Sequence, residues 1–423
     1  MIVGLLLFGG CAVMQRSNIP FYDYGRSVGS SSVATEMTDY SQVNLGDSSS
    51  FRVAVLLPLS GKVATMGQSM KNAATMAVGD INNNNLVVQF YDTKGTGSGA
   101  RIALENAVNA KSDLIIGPLL SEEVVAISDK AKSEDIPVIS FSTSPSVLHE
   151  GIYSLGLLSD DQVNRIVKYA AAQGRTRLAI VLPDNKSGYN ILRSAMKAAR
   201  NSGISVVRIG FYAPDAMEFT DLVTAMKGRN LDFDALLIPE TGNRLKAISS
   251  MFSYYDVAAP DVLFLGTSVW DNANLSKETE LYGAVYPTMS LNNMSNFSQK
   301  YNELFGEKPS GLSIFAYDAV ALASILAGKN ARNLEDEIVR PDGYIGMSGL
   351  FRILSDGLNE HSLDVVKVTA DGRKIVETAP QQFYGYPAAT GNLTAYQSSG
   401  YQDMPEVYGK SAADVQNILL NVQ

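Results

Sequence analysis

The alternation that begins at Arg52 constrains the fold more than any other feature of the chain. Arg52–Gly61, RVAVLLPLSG, runs Val53-Ala54-Val55-Leu56-Leu57 without a charge and stops at Pro58 and Ser60-Gly61. An apolar run of this length, closed by turn residues, predicts a strand buried on both faces. Lys62–Ile81 then places Met66, Met70, Ala73, Ala77 and Ile81 three and four apart, the spacing of a helix with one apolar face. Strand patterns recur at Leu86–Asp92, Asp113–Gly117, Pro137–Phe141 and Gly151–Leu157, with helical patterns at Ala100–Ala110 and Glu122–Lys132. A capping box at Ser159-Asp160-Asp161-Gln162 opens a helix that ends at Gly174, and the alternation starts afresh. The second run has strands at Arg177–Leu182, Ile204–Phe211, Phe233–Pro239, Val262–Gly266 and Tyr282–Tyr286. Its helices are Tyr189–Asn201, Glu218–Lys227 and Asn243–Tyr255. Two such runs predict an α/β fold of two Rossmann-like lobes, each a parallel sheet covered by helices, with a cleft between them. Ligands of such sheets collect at the carboxyl ends of the strands, so the turn that carries Ser60 is the first candidate site.

The remaining chain departs from this pattern. Phe297–Leu304 and Leu312–Ala327 are helical, and the second, LSIFAYDAVALASILA, is apolar nearly all round and must be buried. Tyr344–Ile353, Leu363–Val368 and Lys374–Val376 are strands, the last two joined by a hairpin turn at Ala370-Asp371-Gly372. After Pro380 periodicity is lost, apart from a short helix at Ala412–Leu420. The expected organisation is 51–158 plus 287–328 as a first lobe and 159–286 plus 329–383 as a second. Residues 384–423 follow as an irregular tail.

Composition excludes several function classes. With 423 residues and a formal net charge of −9, the chain is large enough for two cores and too acidic to bind nucleic acid by neutralising phosphates. One cysteine, Cys11, precludes an intramolecular disulfide, and two histidines, His149 and His361, argue against a His/Cys metal site or histidine-based catalysis. No G-x-S-x-G, H-E-x-x-H or G-x-x-x-x-G-K-[ST] motif occurs, so neither an enzyme nor a cofactor or metal is expected. Gly95-Thr96-Gly97-Ser98-Gly99-Ala100 matches G-x-G-x-x-A, but it follows the second strand rather than the first, and a new strand opens where the ribose-binding acid should close one.

Met1–Met14 is uncharged, mostly apolar and too short to span a bilayer, as in the h-region of a signal peptide. Leu7-Phe8-Gly9-Gly10-Cys11 resembles a bacterial lipoprotein cleavage box, although leucine is usual where Phe8 stands. That resemblance implies residues 1–11 as a signal segment, lipidation of Cys11 and, because Ala12 rather than aspartate follows, anchoring at the outer membrane. Residues 12–50, rich in Ser, Gly, Thr and Tyr, then form a flexible tether with a reach of about 35 Å.

PLSG (58–61), IIGPLLS (115–121) and VISFSTSPSVL (138–148), each following a strand, together resemble the type 1 periplasmic-binding-protein fold of leucine/isoleucine/valine-binding proteins. That resemblance covers about Phe51–Phe383 and implies three crossovers between lobes that close on a ligand like a hinge. ALLIPETGNRLKAIS (235–249), LGTSVWD (265–271), FAYDAVALA (315–323), GLFRILSDG (349–357) and KIVETAPQQF (374–383) are similar to the penicillin-binding-protein activator lipoproteins of alphaproteobacterial type. This narrower resemblance implies a non-enzymatic lipoprotein that binds and stimulates a peptidoglycan synthase. The alternative is the substrate-binding protein of an ABC transporter for an amino acid or another small polar solute.

Each candidate residue also has an ordinary structural role. Ser121, ahead of Glu122-Glu123, suits a helix N-terminus, and Ser142-Thr143-Ser144-Pro145 suits a turn. In the leucine-binding relatives, residues matching Ser121 and Thr143 hold a ligand carboxylate. The acid that holds the ligand ammonium in those relatives is missing: Thr267-Ser268 stand in its place, and no acid follows until Asp271. The relatives' tyrosine precedes a glycine, whereas here the order is Gly188-Tyr189. The expected cleft set is therefore Ser60, Ser121, Ser142, Thr143, Tyr189, Glu240 and Ser268, which suits a zwitterion poorly. Trp270, the only tryptophan, is expected to pack at a loop rather than to line the cleft.

Overall fold

The computed structural model describes residues 50–272, 274–328, 334–383 and 405–420. Cys11, the tether and residues 384–404 lie outside the described residues. The first run forms β1 (Phe51–Leu57), α1 (Ala64–Ile81), β2 (Leu86–Asp92), α2 (Gly97–Asn109), β3 (Leu114–Ile116), α3 (Ser121–Ser133), β4 (Val138–Ser140) and β5 (Ile152–Ser154). Its sheet is parallel throughout, in the order β2-β1-β3-β4-β5. Both faces of β1 are covered, with Val53, Val55 and Leu57 in one apolar cluster and Ala54 and Leu56 in another. This is why the strand is apolar without alternation.

The second run forms α4 (Ser159–Ala172), β6 (Arg177–Pro183), α5 (Lys186–Ser202), β7 (Ser205–Tyr212), α6 (Thr220–Lys227), β8 (Ala235–Leu237), α7 (Gly242–Tyr254), β9 (Leu263–Leu265) and β10 (Val285–Thr288). The chain then returns to the first lobe as α8 (Leu291–Phe305) and α9 (Ser313–Leu326). Helix α9 packs along α1 and is buried over almost its whole surface, as its composition predicts. Met70, Ala73, Ala74 and Ala77 of α1 lie in the same cluster as Phe315, Ala316, Ala319 and Ala323 of α9, and alanine on both sides allows the two backbones to approach closely.

Helix α10 (Leu334–Ile338) and a three-stranded antiparallel sheet of β11 (Tyr344–Gly346), β12 (Gly349–Ile353) and β13 (Asn359–His361) follow. Tyr344, Phe351 and Ile353 join the first-lobe core. The expected boundaries are corrected here: 334–361 pack with the first lobe rather than the second, and Pro287 and Thr288 belong to the second-lobe sheet rather than the first lobe. Only with β14 (Asp364–Thr369) and β15 (Gly372–Glu377), which pair antiparallel beside β10, does the chain re-enter the second lobe. Crossovers therefore fall at 155–158, 289–290 and 362–363, the number that the resemblance implies.

The chain ends with β16 (Glu406–Tyr408) and α11 (Ala412–Leu420). Strand β16 pairs parallel with β7, giving an eight-stranded sheet in the order β15-β14-β10-β9-β8-β6-β7-β16. Arg208 of β7 binds Asp232 at 2.6 Å and also pairs with Glu406, and α11 places Val415 and Leu419 in the core beneath α5. The helix falls at Ala412–Leu420 as the sequence predicts, within a tail otherwise expected to be irregular; the edge strand before it was not expected.

Candidate functional site

Each sheet has one place where successive connections depart in opposite directions. In the first lobe it lies between β1 and β3, in the second between β6 and β8. Crevices at such switch points, at the carboxyl ends of the strands, are where open α/β sheets bind ligands. The loops concerned are Pro58–Gly61 and Pro118–Ser121 in the first lobe, and Asp184–Asn185 and Ile238–Thr241 in the second.

On the first lobe, Asp92 at the end of β2 organises the β1 loop. Its carboxylate accepts the amides of Leu59 at 2.9 Å, Ser60 at 3.2 Å and Lys94 at 2.8 Å, and the Ser60 hydroxyl at 2.6 Å. Burial pushes its pKa up, but the Ser60 hydroxyl and these amides outweigh burial and hold the carboxyl below its ordinary range. Ser60 is exposed, yet its hydroxyl is committed to Asp92. The next turn needs glycine: Gly117, at φ +92°, would place a Cβ 2.1 Å from the Leu56 carbonyl oxygen.

Helix α3 starts one residue earlier than a Ser121 cap implies. Leu120 occupies the cap position, and its amide donates to the Glu123 carboxylate at 2.9 Å. Ser121 stands in the first turn, where helical amides have no intrahelical acceptor and the dipole favours an anion. Its hydroxyl meets the Ser142 hydroxyl at 2.9 Å, so two of the expected residues are brought together from different loops. Ser142 also accepts the Ser144 amide at 3.3 Å, and its own amide donates to Ser140 Oγ at 3.0 Å. The pair uses one of its two hydroxyl protons internally and leaves the other for an outside acceptor. Thr143, next to them, is exposed.

On the second lobe the expected residues have partners already. The Tyr189 hydroxyl donates to Asp184, which also binds Lys410 Nζ at 2.9 Å. Lys410 lies 5.5 Å from the Tyr189 ring centroid and 5.6 Å from that of Phe211. Ser268 donates from both amide and hydroxyl to Gln162 Oε1 at 2.8 Å. Glu240, only 7% exposed, accepts the Thr241 amide at 3.2 Å and Arg244 Nε at 3.0 Å. Trp270 is fully buried beneath Gly266, and its indole N–H donates to the Ile238 carbonyl at 3.1 Å, a packing role as expected. Asp271 accepts the Thr288 hydroxyl at 2.6 Å and the Tyr286 hydroxyl at 3.1 Å and pairs with Arg373.

Sequence reasoning missed Gln162, Lys410, Tyr212 and Arg244. Only Arg244 carried a local signal, standing four residues after Glu240 at the start of a helix. The glycine-rich segment 95–100 is a helix start: Thr96 accepts the Gly99 amide at 3.1 Å, and Gly99 allows α2 to approach the Thr93 carbonyl. Among the described residues no group of three or more His, Cys, Asp or Glu side chains could hold a metal ion, and no helix is long and apolar enough to cross a membrane.

One parallel and one mostly parallel sheet joined by three crossovers, with their switch points at the carboxyl edges, define the type 1 architecture of two-lobed binding proteins. The chain belongs to the periplasmic binding protein family, whose model matches residues 50–373. It is 23% identical over 364 residues to the Leu/Ile/Val-binding protein BraC3 of Rhizobium johnstonii, covering 83% of this chain and 90% of that one. It is 28% identical over 202 residues to the Leu/Ile/Val-binding protein of Escherichia coli K12, a match that spans 45% of this chain and about half, 55%, of that relative. A solute binding protein of an ABC transporter from R. palustris, solved in complex with benzoate, shares the fold with a TM-score of 0.56 at 14% identity, covering 80% of this chain and 98% of that one.

Proposed function

We propose that this protein is a periplasmic solute receptor whose crevice takes a small molecule by a carboxylate, held against Ser121, Ser142 and Thr143 of the first lobe. The observation that carries this reading is the Ser121–Ser142 hydroxyl pair at the first turn of α3, with one proton to spare, at the first-lobe switch point. A hydroxyl and helix amides are matched to an anion, and they need no counter-cation to bind it. The Leu/Ile/Val-binding relatives and the protein solved with benzoate support the same end of the reading, since an amino acid and benzoate both carry a carboxylate.

The test is thermal denaturation and calorimetric titration of the purified protein with a panel of small carboxylic acids. A ligand at one hundred times its Kd should stabilise by about 2.7 kcal/mol. Ser121→Ala and Ser142→Ala should each weaken binding roughly tenfold to a hundredfold, the scale of one hydrogen bond to a charged group. No rise in melting temperature with any acid overturns the reading.

A second reading, regulation of a peptidoglycan synthase by direct contact, is favoured by one observation. Tyr189 and Ser268 are satisfied from within the second lobe, by Asp184 and Gln162, and leave less of that wall for a solute. On this reading a lipidated Cys11 would anchor the protein at the outer membrane, and docking would replace transport. Adding the protein to a purified bifunctional penicillin-binding protein should then raise its glycan-polymerising rate; an unchanged rate discards this reading.

A further inference from the structure

The second-lobe switch point carries two features that the reading above does not use. Tyr212, at the end of β7, is 6% exposed, and its hydroxyl lies beside the Glu240 carboxylate without forming a hydrogen bond of good geometry. Burial pushes the phenol pKa up, the Glu240 carboxylate adds to the rise through its charge and its contact with the hydroxyl, and Arg244 works in the opposite direction. A buried hydroxyl without a well-aligned partner is an unfavourable arrangement unless something else supplies an acceptor. Arg244, in the first turn of α7, gives only its Nε to Glu240. Its outer guanidinium nitrogens bond nothing among the described residues, and its side chain is 36% exposed. A guanidinium held from behind by one carboxylate presents its outer edge to a second, in the fork geometry that suits a carboxylate.

Both carboxylates at this edge are matched to cations already, Asp184 to Lys410 at 2.9 Å and Glu240 to Arg244 at 3.0 Å. An incoming ammonium would have to displace a cation from one of them. An incoming carboxylate would displace nothing. It would meet the outer edge of Arg244, the Tyr212 hydroxyl and the positive end of α7. What the crevice offers from both lobes is therefore donors: the hydroxyl pair and helix amides on one side, a guanidinium and a phenol on the other.

We propose that Arg244 and Tyr212 form a second acid-binding subsite, so that the ligand is a short dicarboxylate rather than a zwitterionic amino acid. The proposal rests on the carboxylate-binding reading of the crevice and names the group at the ligand's other end. The Glu240–Arg244 pair fixes the guanidinium, Tyr212 gains a well-aligned acceptor, and the span between the lobes sets the length of the carbon chain.

The experiment is calorimetric titration of the full chain with succinate, glutarate, benzoate and leucine, repeated with Arg244→Gln and Tyr212→Phe. The expected result is that one of the two dicarboxylates binds at least tenfold tighter than leucine or benzoate. Arg244→Gln should remove that advantage and leave benzoate affinity within about twofold. Tyr212→Phe deletes a hydroxyl that forms no well-aligned hydrogen bond in the fold, so it tests the subsite even if Arg244→Gln unfolds, and it should weaken the dicarboxylate several-fold. Leucine binding tighter than both dicarboxylates overturns the proposal and leaves the carboxylate reading standing, as does dicarboxylate affinity unchanged in both variants. No binding of any of the four overturns both.

Discussion

His361 is held in an environment that has little to do with ligand binding and much to do with pH. Its ring lies between Phe315 and Phe351, at centroid distances of 5.4 and 5.6 Å. Asn359 Nδ2 donates to the Gly156 carbonyl at 2.7 Å and faces His361 Nδ1 at 2.9 Å, so Nδ1 accepts and the ring proton sits on Nε2, toward Ser348 Oγ at 3.3 Å. Burial pushes the imidazole pKa down from 6.5 to about 3. A histidine depressed in the folded state contributes stability above pH 6.5 that is lost as pH falls toward 3, about 5 kcal/mol at 1.36 kcal/mol per pH unit. The nearby carboxyls run the other way: burial raises Asp318, which accepts the Ser348 amide, to about 6, and raises Asp161, which accepts the His361 amide, well above its ordinary range. Comparison with His361→Gln isolates the histidine. Urea denaturation at pH 7, 5.5 and 4 should show wild type losing more stability across the series than the variant; parallel losses would refute this. At this scale the sequence was least legible. That Ser121 would meet Ser142 follows from two adjacent strand ends, but the capture of Ser268 by Gln162, 106 residues away, depends on packing that no local pattern encodes.

At the scale of elements, three helices approach their sheets through a glycine. Gly67 of α1, Gly99 of α2 and Gly188 of α5 would each place a Cβ within 2.1 Å of a strand-end carbonyl, those of Pro58, Thr93 and Pro183. Backbone is the obstacle in each case, so a methyl group must push a helix away from its strand. Gly188→Ala should cost roughly 1–3 kcal/mol despite the better helix propensity of alanine, as an overpacked contact does. A shift of the urea midpoint smaller than 0.5 kcal/mol would mean that α5 moves freely. The alternation of buried strands and amphipathic helices made most elements legible, because parallel strands covered on both faces are continuously apolar. It failed for the three-stranded sheet, assigned to the wrong lobe because antiparallel strands carry no sign of which core they cover. It failed also for β16, whose three residues Glu406–Tyr408 are too short for any period.

At the scale of the molecule, two lobes with separate cores meet through three crossovers, and one side of the hinge is tied by polar contacts. Asn359 binds the first crossover at Gly156 O, and the His361 amide donates to Asp161 of α4 at 3.0 Å. Asn359→Ala leaves a buried carbonyl and a buried imidazole nitrogen without a donor, which should cost about 1–3 kcal/mol each way it is counted. Because the contact joins the crossover and not the crevice, its loss should lower the melting temperature without abolishing ligand binding; loss of binding at full occupancy of the folded state would give the hinge a direct part in the site.

The placement of β16 has a practical corollary. Ser50 enters the first lobe at β1, whereas Leu420, 47% exposed, ends a helix packed on the second. A donor fluorophore at 50 and an acceptor at 420 would ride on opposite lobes with neither dye in the crevice. If the lobes close on the ligand proposed above, a change in energy transfer between the dyes would report it without knowledge of the ligand's identity; unchanged transfer at saturating ligand would argue against closure.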